Sequence, residues 1–207
     1  TVENTIPDQA GLGGSSADAA ATLRALAKRW GTDALDPRVI AVARRVGADV
    51  SFFLHPVPSL LLGAGDTLEE TFDEFAGMPI ALVLPKTEGV STTEAYDTFD
   101  AAPTQPRDYG ELCVLLRSGV TEEKYSQVAD LLYNNLAIAA KTLCPEVAKI
   151  EKWLCAQAGV LGAMVSGSGS CSFAICSSHD EAVRVVQEAQ KLHGWRAFAT
   201  KTVGFDG

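Results

Sequence analysis

Ile6-Pro7-Asp8-Gln9-Ala10-Gly11-Leu12-Gly13-Gly14-Ser15-Ser16-Ala17-Asp18-Ala19-Ala20 is the stretch on which the reading of this chain turns. Three glycines within four positions (Gly11, Gly13, Gly14) let the backbone approach a ligand closely and adopt conformations closed to other residues. Ser15 and Ser16, either of which can cap the helix predicted after them, add hydroxyl donors. The helix start adds free N–H groups and the positive end of a dipole. Together these features suit a phosphate group; they also describe a flexible turn ahead of a well-capped helix. The stretch is not a Walker A loop, because no Lys-Ser/Thr follows the glycines. It is a poor dinucleotide fingerprint as well, with no hydrophobic strand before it and no third glycine at the required spacing.

Two further clusters carry polar chemistry. In Gly47-Ala48-Asp49-Val50-Ser51-Phe52-Phe53-Leu54, a carboxylate follows a helix-ending glycine and precedes apolar residues. A partly desolvated Asp49 there can orient or deprotonate an alcohol, or it can be an ordinary turn residue. In Val165-Ser166-Gly167-Ser168-Gly169-Ser170, a second glycine–serine loop lies between two apolar runs. Such a loop closes over phosphates, or it simply connects a hairpin.

Composition narrows the partners. Of 207 residues, 47% are apolar and 21% charged, a globular balance, and 17 basic against 26 acidic side chains give a net charge of −9. That charge argues against broad nucleic-acid binding, which depends on Lys and Arg, but leaves room for a small phosphorylated ligand held by backbone N–H groups. No apolar run approaches the ~20 residues of a membrane helix, and no signal-peptide pattern is visible. The five cysteines are odd in number and lack any C-x-x-C pair, which points to a reducing, cytoplasmic location. His55, His179 and His193 are scattered without metal-ligand spacing, so no protein metal site is expected.

Along the chain, Ala20, Leu23, Ala27 and Trp30 fall at helical spacing before Gly31, and Asp36-Pro37 opens a second helix that runs to Gly47. Strands are predicted at Ser59 to Leu62 and Met78 to Leu84, separated by an acidic loop. Ser91-Thr92-Thr93-Glu94 reads as a capping box for a helix, and Ala101 to Asp108 as a surface loop. Helices follow at Glu122 to Lys141 and Pro145 to Ala158, then strands at Leu161 to Val165 and Cys171 to Cys176. A helix from His179 to Leu192 and a strand from Arg196 to Val203 finish the chain. The alternation predicts an α/β (α+β) fold. A domain boundary is expected near Glu74 to Gly77, dividing the chain into 1–75 and 76–207.

Taken in order, these motifs resemble the GHMP kinase superfamily, and within it the 4-diphosphocytidyl-2-C-methyl-D-erythritol kinase family. Ile6 to Ala20 match I-P-x-x-A-G-L-G-G-G-S-S-D-A-A with Ser15 for the third glycine. Gly47 to Phe53 match G-A-D-V-P-F-F with Ser51 for proline. Val90-Ser91-Thr92 with Tyr96 match V-S-T-x-x-x-Y/F, and Ser166 to Gly169 match S-G-S-G. The resemblance implies a two-domain architecture: a ribosomal-S5-domain-2-like N-terminal part in 1–75, carrying ATP binding and catalysis, and a ferredoxin-like C-terminal domain in 76–207. It implies ATP on Pro7, Ala10, Gly11, Leu12, Gly13, Gly14, Ser15 and Ser16, with Mg²⁺ between the β- and γ-phosphates. Asp49 becomes the general base for a substrate hydroxyl that attacks the γ-phosphate in line. Thr92, Tyr96, Gly167, Ser168, Gly169 and Ser170 become substrate contacts, with Tyr96 stacking on the substrate's cytosine; Tyr96 read from spacing alone is a helix-face core residue.

The implied reaction is ATP-dependent phosphorylation of the 2-hydroxyl of 4-diphosphocytidyl-2-C-methyl-D-erythritol, a step of non-mevalonate isoprenoid synthesis. A homoserine- or mevalonate-type GHMP kinase, or a non-catalytic nucleotide-binding fragment, are the alternatives. Several positions depart from the pattern. Asn4 stands where the family has a lysine, Asn134-Asn135-Leu136-Ala137 replaces N-D-L-E, and Ser170-Cys171 replaces the commoner pair. A catalytic lysine and a Tyr-His pair of the family belong upstream of the glycine-rich stretch. The opening at Thr1 therefore suggests an N-terminally shortened chain. Its first domain of roughly 75 residues is near the size at which a single core becomes marginal. Open strand edges in that domain suggest a homodimer or partial disorder.

Overall fold

The structure, a computed structural model, describes residues 6–72, 76–86, 89–119 and 121–204. Thr1, Asn4 and residues 74–75 of the expected boundary lie outside these. The chain forms two compact units: 6–8, 13–72 and 203–204 in one, 9–12 and 76–202 in the other.

The first unit holds α1 (Gly14–Arg29), α2 (Pro37–Val46), two short 3-10 turns (Ala48–Val50 and Phe52–Leu54), and the antiparallel hairpin of β1 (Ser59–Leu62) and β2 (Thr67–Thr71). Its core is small. Ala20 and Leu23 of α1 meet Val39, Ile40 and Ala43 of α2 over Val50 and Leu54. The expected serine cap of α1 is corrected: the helix starts one residue before Ser15, capped by Gly13 without a side-chain hydrogen bond. Gly13 turns the chain into the helix at φ 67°, a conformation glycine adopts without strain, and its missing Cβ leaves room for the Phe53 ring. Ser15 and Ser16 are thereby carried into the first helical turn. Asp36 caps α2 as read from sequence, accepting hydrogen bonds from the Arg38 side chain and the Arg38 N–H, which hold its carboxyl down to about 2. The acidic loop between the predicted strands is also corrected, because Thr67–Thr71 within it is β2. Thr67 to Glu69 are exposed, so no apolar alternation announces the strand.

In the second unit, β3 (Pro79–Leu84), β4 (Val160–Val165), β5 (Ser172–Cys176) and β6 (Arg196–Lys201) form an antiparallel sheet in the order β4-β5-β3-β6. Helices α3 (Thr92–Ala101), α4 (Gly110–Arg117), α5 (Tyr125–Asp130), α6 (Ala137–Leu143) and α7 (Pro145–Cys155) make the first crossover, and α8 (His179–Glu188) the second. This is the β-α-β-β-α-β ferredoxin-like topology. Alternate strand residues Ala81, Val83, Ala174, Cys176 and Ala197 face α7 and α8, where Ile150, Leu154, Ala182, Val185 and Val186 complete the core. Small side chains on the strands let both helices sit close to the sheet.

The expected helix over Glu122 to Lys141 is corrected to α5 and α6, separated by residues 131–136. The Asn134 Oδ1 accepts from the Leu136 N–H at 2.8 Å, a local turn that competes with helix continuation. Helix α4 is an addition to the sequence reading, and Asp108 Oδ1 accepts from the Gly110 N–H at its start.

Candidate functional site

Within the second unit, the end of β4, the start of β5 and the end of β3 lie at one end of the sheet, and three segments gather there. Ala10 and Leu12 pack against Leu82, Leu84 and Cys171, which fixes the backbone of residues 9–12 on the sheet. The Gln9 carbonyl accepts from the N–H groups of Val90 (3.3 Å) and Ser170 (3.1 Å), and the Ala10 carbonyl from that of Cys171 (3.0 Å). Ser166 Oγ donates to the Gly11 carbonyl at 2.8 Å. At Gly11, with φ 70°, a Cβ would run into the carbonyl oxygens of Ser166 and Gly169, so only glycine allows this approach.

The loop Ser166 to Ser170 is the connection of the β4–β5 hairpin, and its backbone donors can be accounted for one by one. Ser166 N–H donates to the Cys171 carbonyl, Gly169 N–H to the Ser166 carbonyl, and Ser170 N–H to Gln9. Among the described residues, the N–H groups of Gly167 and Ser168 have no protein acceptor. Asn134 holds this loop from the side: its Nδ2 donates to the carbonyls of Val165 (2.9 Å) and Gly167 (2.8 Å). Because the C=O and N–H of one peptide point in opposite directions, drawing the Gly167 carbonyl to Asn134 turns the Ser168 N–H away from it. Ser168 is buried, 7% exposed, and its Oγ lies 3.1 Å from Thr92 Oγ1.

Thr92 opens α3, whose cap is Ser91 accepting from the Glu94 N–H. Tyr96 lies one turn further on, on the same face as Thr92. Its ring is 54% exposed, which rules out the core role that spacing alone allows. Residues Gly11, Ser166, Gly167, Ser168 and Thr92 are thus brought together, with Tyr96 beside them. Asn134, which the sequence reading did not single out, is the side chain that holds the loop. The Asn134-Asn135-Leu136-Ala137 string, where Asn135 and Ala137 depart from N-D-L-E, marked its position, but not its two bonds to the loop.

The first unit carries the other candidates. The α1 N-terminus has no capping side chain and no acidic residue in its first turn. The first helical bond there runs from Ala17 N–H to the Gly13 carbonyl, leaving the N–H groups of Gly14, Ser15 and Ser16 without a protein acceptor among the described residues. Asp49 sits in the turn Ala48–Val50, next to the Gly63 to Asp66 loop; a Cβ on Gly65 would stand 3.6 Å from its Oδ1. The expected partial desolvation of Asp49 is corrected, since the residue is exposed. The cause is the 3-10 turn, which buries Val50 and Leu54 and points Asp49 outward. Among the described residues its carboxylate makes no hydrogen bond or ion pair. Ser51, in place of the family's proline, donates from Oγ to the Ala48 carbonyl at 3.2 Å and so braces the same turn. Pro7 is half-buried just ahead of these elements.

For Mg²⁺, the described residues contain no group of three or more His, Cys, Asp or Glu that could hold an ion. The first turn of α1 offers the Ser15 and Ser16 hydroxyls and no acidic side chain, so an ion there would be carried chiefly by nucleotide phosphates.

Comparison with known proteins finds relatives along most of the chain. Residues 1–56 match the GHMP kinases N terminal domain and residues 116–193 the GHMP kinases C terminal domain. The chain is 38% identical over 202 residues to a 4-diphosphocytidyl-2-C-methyl-D-erythritol kinase of Desulfitobacterium hafniense, covering 94% of this chain and 66% of that protein. It is 38% identical to the namesake from Nocardioides sp. (87% and 60% covered) and 32% identical to that of Syntrophotalea carbinolica (98% and 68%). The chain therefore spans slightly less than two thirds of the length of the first two relatives. Among solved structures, a 4-(cytidine 5'-diphospho)-2C-methyl-D-erythritol kinase superposes with a TM-score of 0.74 at 30% identity, covering 98% of this chain and 69% of that one. A homoserine kinase from Cytophaga hutchinsonii shares the fold, with a TM-score of 0.72 at 20% identity. With both domain models matched in order and a fold shared over nearly its whole length, the chain belongs to the GHMP kinase family, among the 4-diphosphocytidyl-2-C-methyl-D-erythritol kinases.

Proposed function

We propose that this protein transfers the γ-phosphate of ATP to the 2-hydroxyl of 4-diphosphocytidyl-2-C-methyl-D-erythritol, as a cytoplasmic enzyme of isoprenoid precursor synthesis. The observation that carries this reading is the set of unengaged backbone donors. In a chain of net charge −9, the N–H groups of Gly14 to Ser16 in the first unit, and separately those of Gly167 and Ser168 in the second, are left free among the described residues to receive phosphate. Pro7, Ala10, Gly11, Leu12 and Gly13 set the backbone that presents them. Mg²⁺ on the phosphates supplies charge neutralisation. Ser15 and Ser16 offer hydroxyls to phosphate or ion, and no first-turn carboxylate opposes the incoming charge.

Asp49, exposed and unpartnered, accepts the proton of the attacking hydroxyl. Thr92, Ser168 and Gly169 orient the substrate, Ser170 anchors the loop to Gln9, and Tyr96 offers an aromatic face for a pyrimidine ring. All five cysteines are free, in keeping with a reducing compartment. A homodimer formed through the hairpin edge belongs to the same reading: among the described residues, β1 and β2 pair only with each other. Light scattering tests it, and a monomeric mass overturns the dimer alone.

The function is tested by following ATP consumption and phosphorylated product in the full-length gene product. The cytidylyl substrate and homoserine are offered side by side. Asp49→Asn is expected to lower kcat by about 10²–10⁴ with ATP affinity unchanged. Full activity in that variant removes Asp49 as the base, and turnover of homoserine alone overturns the substrate. Tyr96→Leu is expected to raise KM for the cytidylyl substrate while leaving KM for ATP in place.

A further inference from the structure

A cavity of about 340 Å³ opens in the second unit, lined by Arg107 and Tyr109 before α4, Leu112 on α4, Leu131 and Tyr133 after α5, and Met164 on β4. We propose that this cavity is a binding site for a small anion with an apolar body, such as a short-chain phosphate ester or carboxylate. Its occupancy is felt by the Ser166 to Ser170 loop. The site is separate from the kinase reading and does not depend on it.

The ligand class follows from the lining. Leu112, Leu131 and Met164 give an apolar floor, and the rings of Tyr109 and Tyr133, 52% and 41% exposed, form walls that a hydrocarbon chain covers favourably. At the mouth, the Arg107 guanidinium lies 6.0 Å from the centre of the Tyr133 ring. A guanidinium facing a ring keeps its edge N–H donors free in its own plane, shaped for carboxylate or phosphate oxygens. Among the described residues Arg107 has no carboxylate partner. The adjacent carboxylate, Asp108, is turned to the Gly110 N–H at 2.9 Å. The Tyr133 hydroxyl is committed as well, donating to the Gln105 carbonyl at 2.8 Å, which holds this wall in place. An apolar floor with one unpaired cation at the rim selects an amphiphilic anion over a neutral ligand or a bare ion. The volume lies at the lower end of that usual for small-molecule sites.

Coupling follows from chain continuity. Tyr133 and Asn135 line the cavity, and Asn134 between them donates both its hydrogen bonds to the carbonyls of Val165 and Gly167. Met164 on the floor directly precedes Val165. A ligand that shifts either segment therefore shifts the peptide that presents the Ser168 N–H.

The test is a titration of the isotope-labelled protein with hexyl phosphate, followed by amide and methyl NMR. Inorganic phosphate, 1-hexanol and heptanoate are run in parallel. Hexyl phosphate is expected to perturb Tyr109, Leu112, Tyr133 and Met164 together with the amides of Gly167 and Ser168. Its Kd should lie at least tenfold below those of phosphate and hexanol. Arg107→Gln, a change at an exposed position, is expected to raise the Kd at least tenfold, and Leu112→Trp to abolish binding by filling the floor. Heptanoate binding as tightly as hexyl phosphate assigns the site to amphiphilic anions in general, whereas a tenfold preference for hexyl phosphate assigns it to phosphate esters. Affinity no better than either control, indifference to Arg107→Gln, or perturbations confined to other residues overturns the proposal. If Leu112→Trp fails to fold, Arg107→Gln and the ligand series still decide.

Discussion

Gly11 and Asn134 both meet the Ser166 to Ser170 loop, one by having no side chain and the other through its amide. Replacing Gly11 by Ala forces a Cβ against the Ser166 carbonyl at a φ of 70°. Unfolding in urea should show a loss of about 1–3 kcal/mol, with weakened ATP binding. Asn134→Ala frees the Gly167 carbonyl and is expected to raise KM for ATP several-fold, with a smaller effect on thermal stability. Asn134→Asp removes both donors but keeps the acceptor for Leu136. It should share the KM defect, and a wild-type KM in Asn134→Asp removes Asn134 as a positioning residue. Cysteine chemistry is set at this scale too. Burial pushes the Cys171 thiol up to about 12 and that of Cys176 up to about 11, while Cys155 is exposed. At pH 8 a thiol reagent should label Cys155 first and reach Cys171 and Cys176 only on unfolding. The two raised thiols also set a sign for stability. Below the free-thiol value of 9.0 their contribution is intact, and it is lost as the pH climbs toward about 12, because the unfolded chain releases protons that the folded chain keeps. The close backbone approach at Gly11 was legible in the sequence because glycine alone permits it. Asn134 was not, since an amide becomes informative only once its partners, 31 and 33 residues away, are known.

Helix α1 begins without the side chains that usually stabilise a helix N-terminus. Its last turn carries Lys28 and Arg29, favourable to the dipole, while its first turn has neither a capping side chain nor an acid. Ser15→Asp, at an exposed first-turn position, is expected to stabilise the helix by about 0.3–1 kcal/mol and to weaken ATP binding several-fold. Thermal unfolding and ATP titration read the two signs separately. A variant gaining both stability and affinity would show that phosphate does not meet this terminus. The same contrast explains which elements could be read from sequence. Helix α2 was legible because Asp36-Pro37 is a complete start signal and its cap forms as written. The start of α1 was misplaced because a left-handed glycine, not a serine, begins it. Strand β2 stayed hidden because its exposed half carries Thr and Glu. The 122–141 run read as one helix because an asparagine turn leaves helical spacing unbroken on either side.

At the scale of the whole molecule, the two units differ in what holds them. The second has a four-stranded sheet covered by α7 and α8, with Val83, Ile150, Leu154, Val165, Ile175 and Val185 almost wholly buried. The first relies on alanines, Ala20, Ala27 and Ala43, with Val50, Leu54 and Val57 as its large buried aliphatics, and on a two-stranded hairpin. Alanine removes little apolar surface from water, and an isolated hairpin is marginal by itself. The sequence made the ferredoxin-like unit readable through its apolar strands; for the first unit it offered a short length, and the structure adds the smallness of the buried side chains. Amide hydrogen exchange should therefore show residues 13–72 opening more readily than the sheet of residues 79–84 and 160–201. Protection factors should be at least tenfold lower, a gap of about 1.4 kcal/mol or more. Adding ATP should narrow that gap by slowing exchange chiefly at Gly14 to Ser16 and along α1, because a ligand that binds only the folded unit stabilises it by mass action. Equal protection in the two units without nucleotide would mean that the alanine core and hairpin are supported by contacts other than those within the first unit.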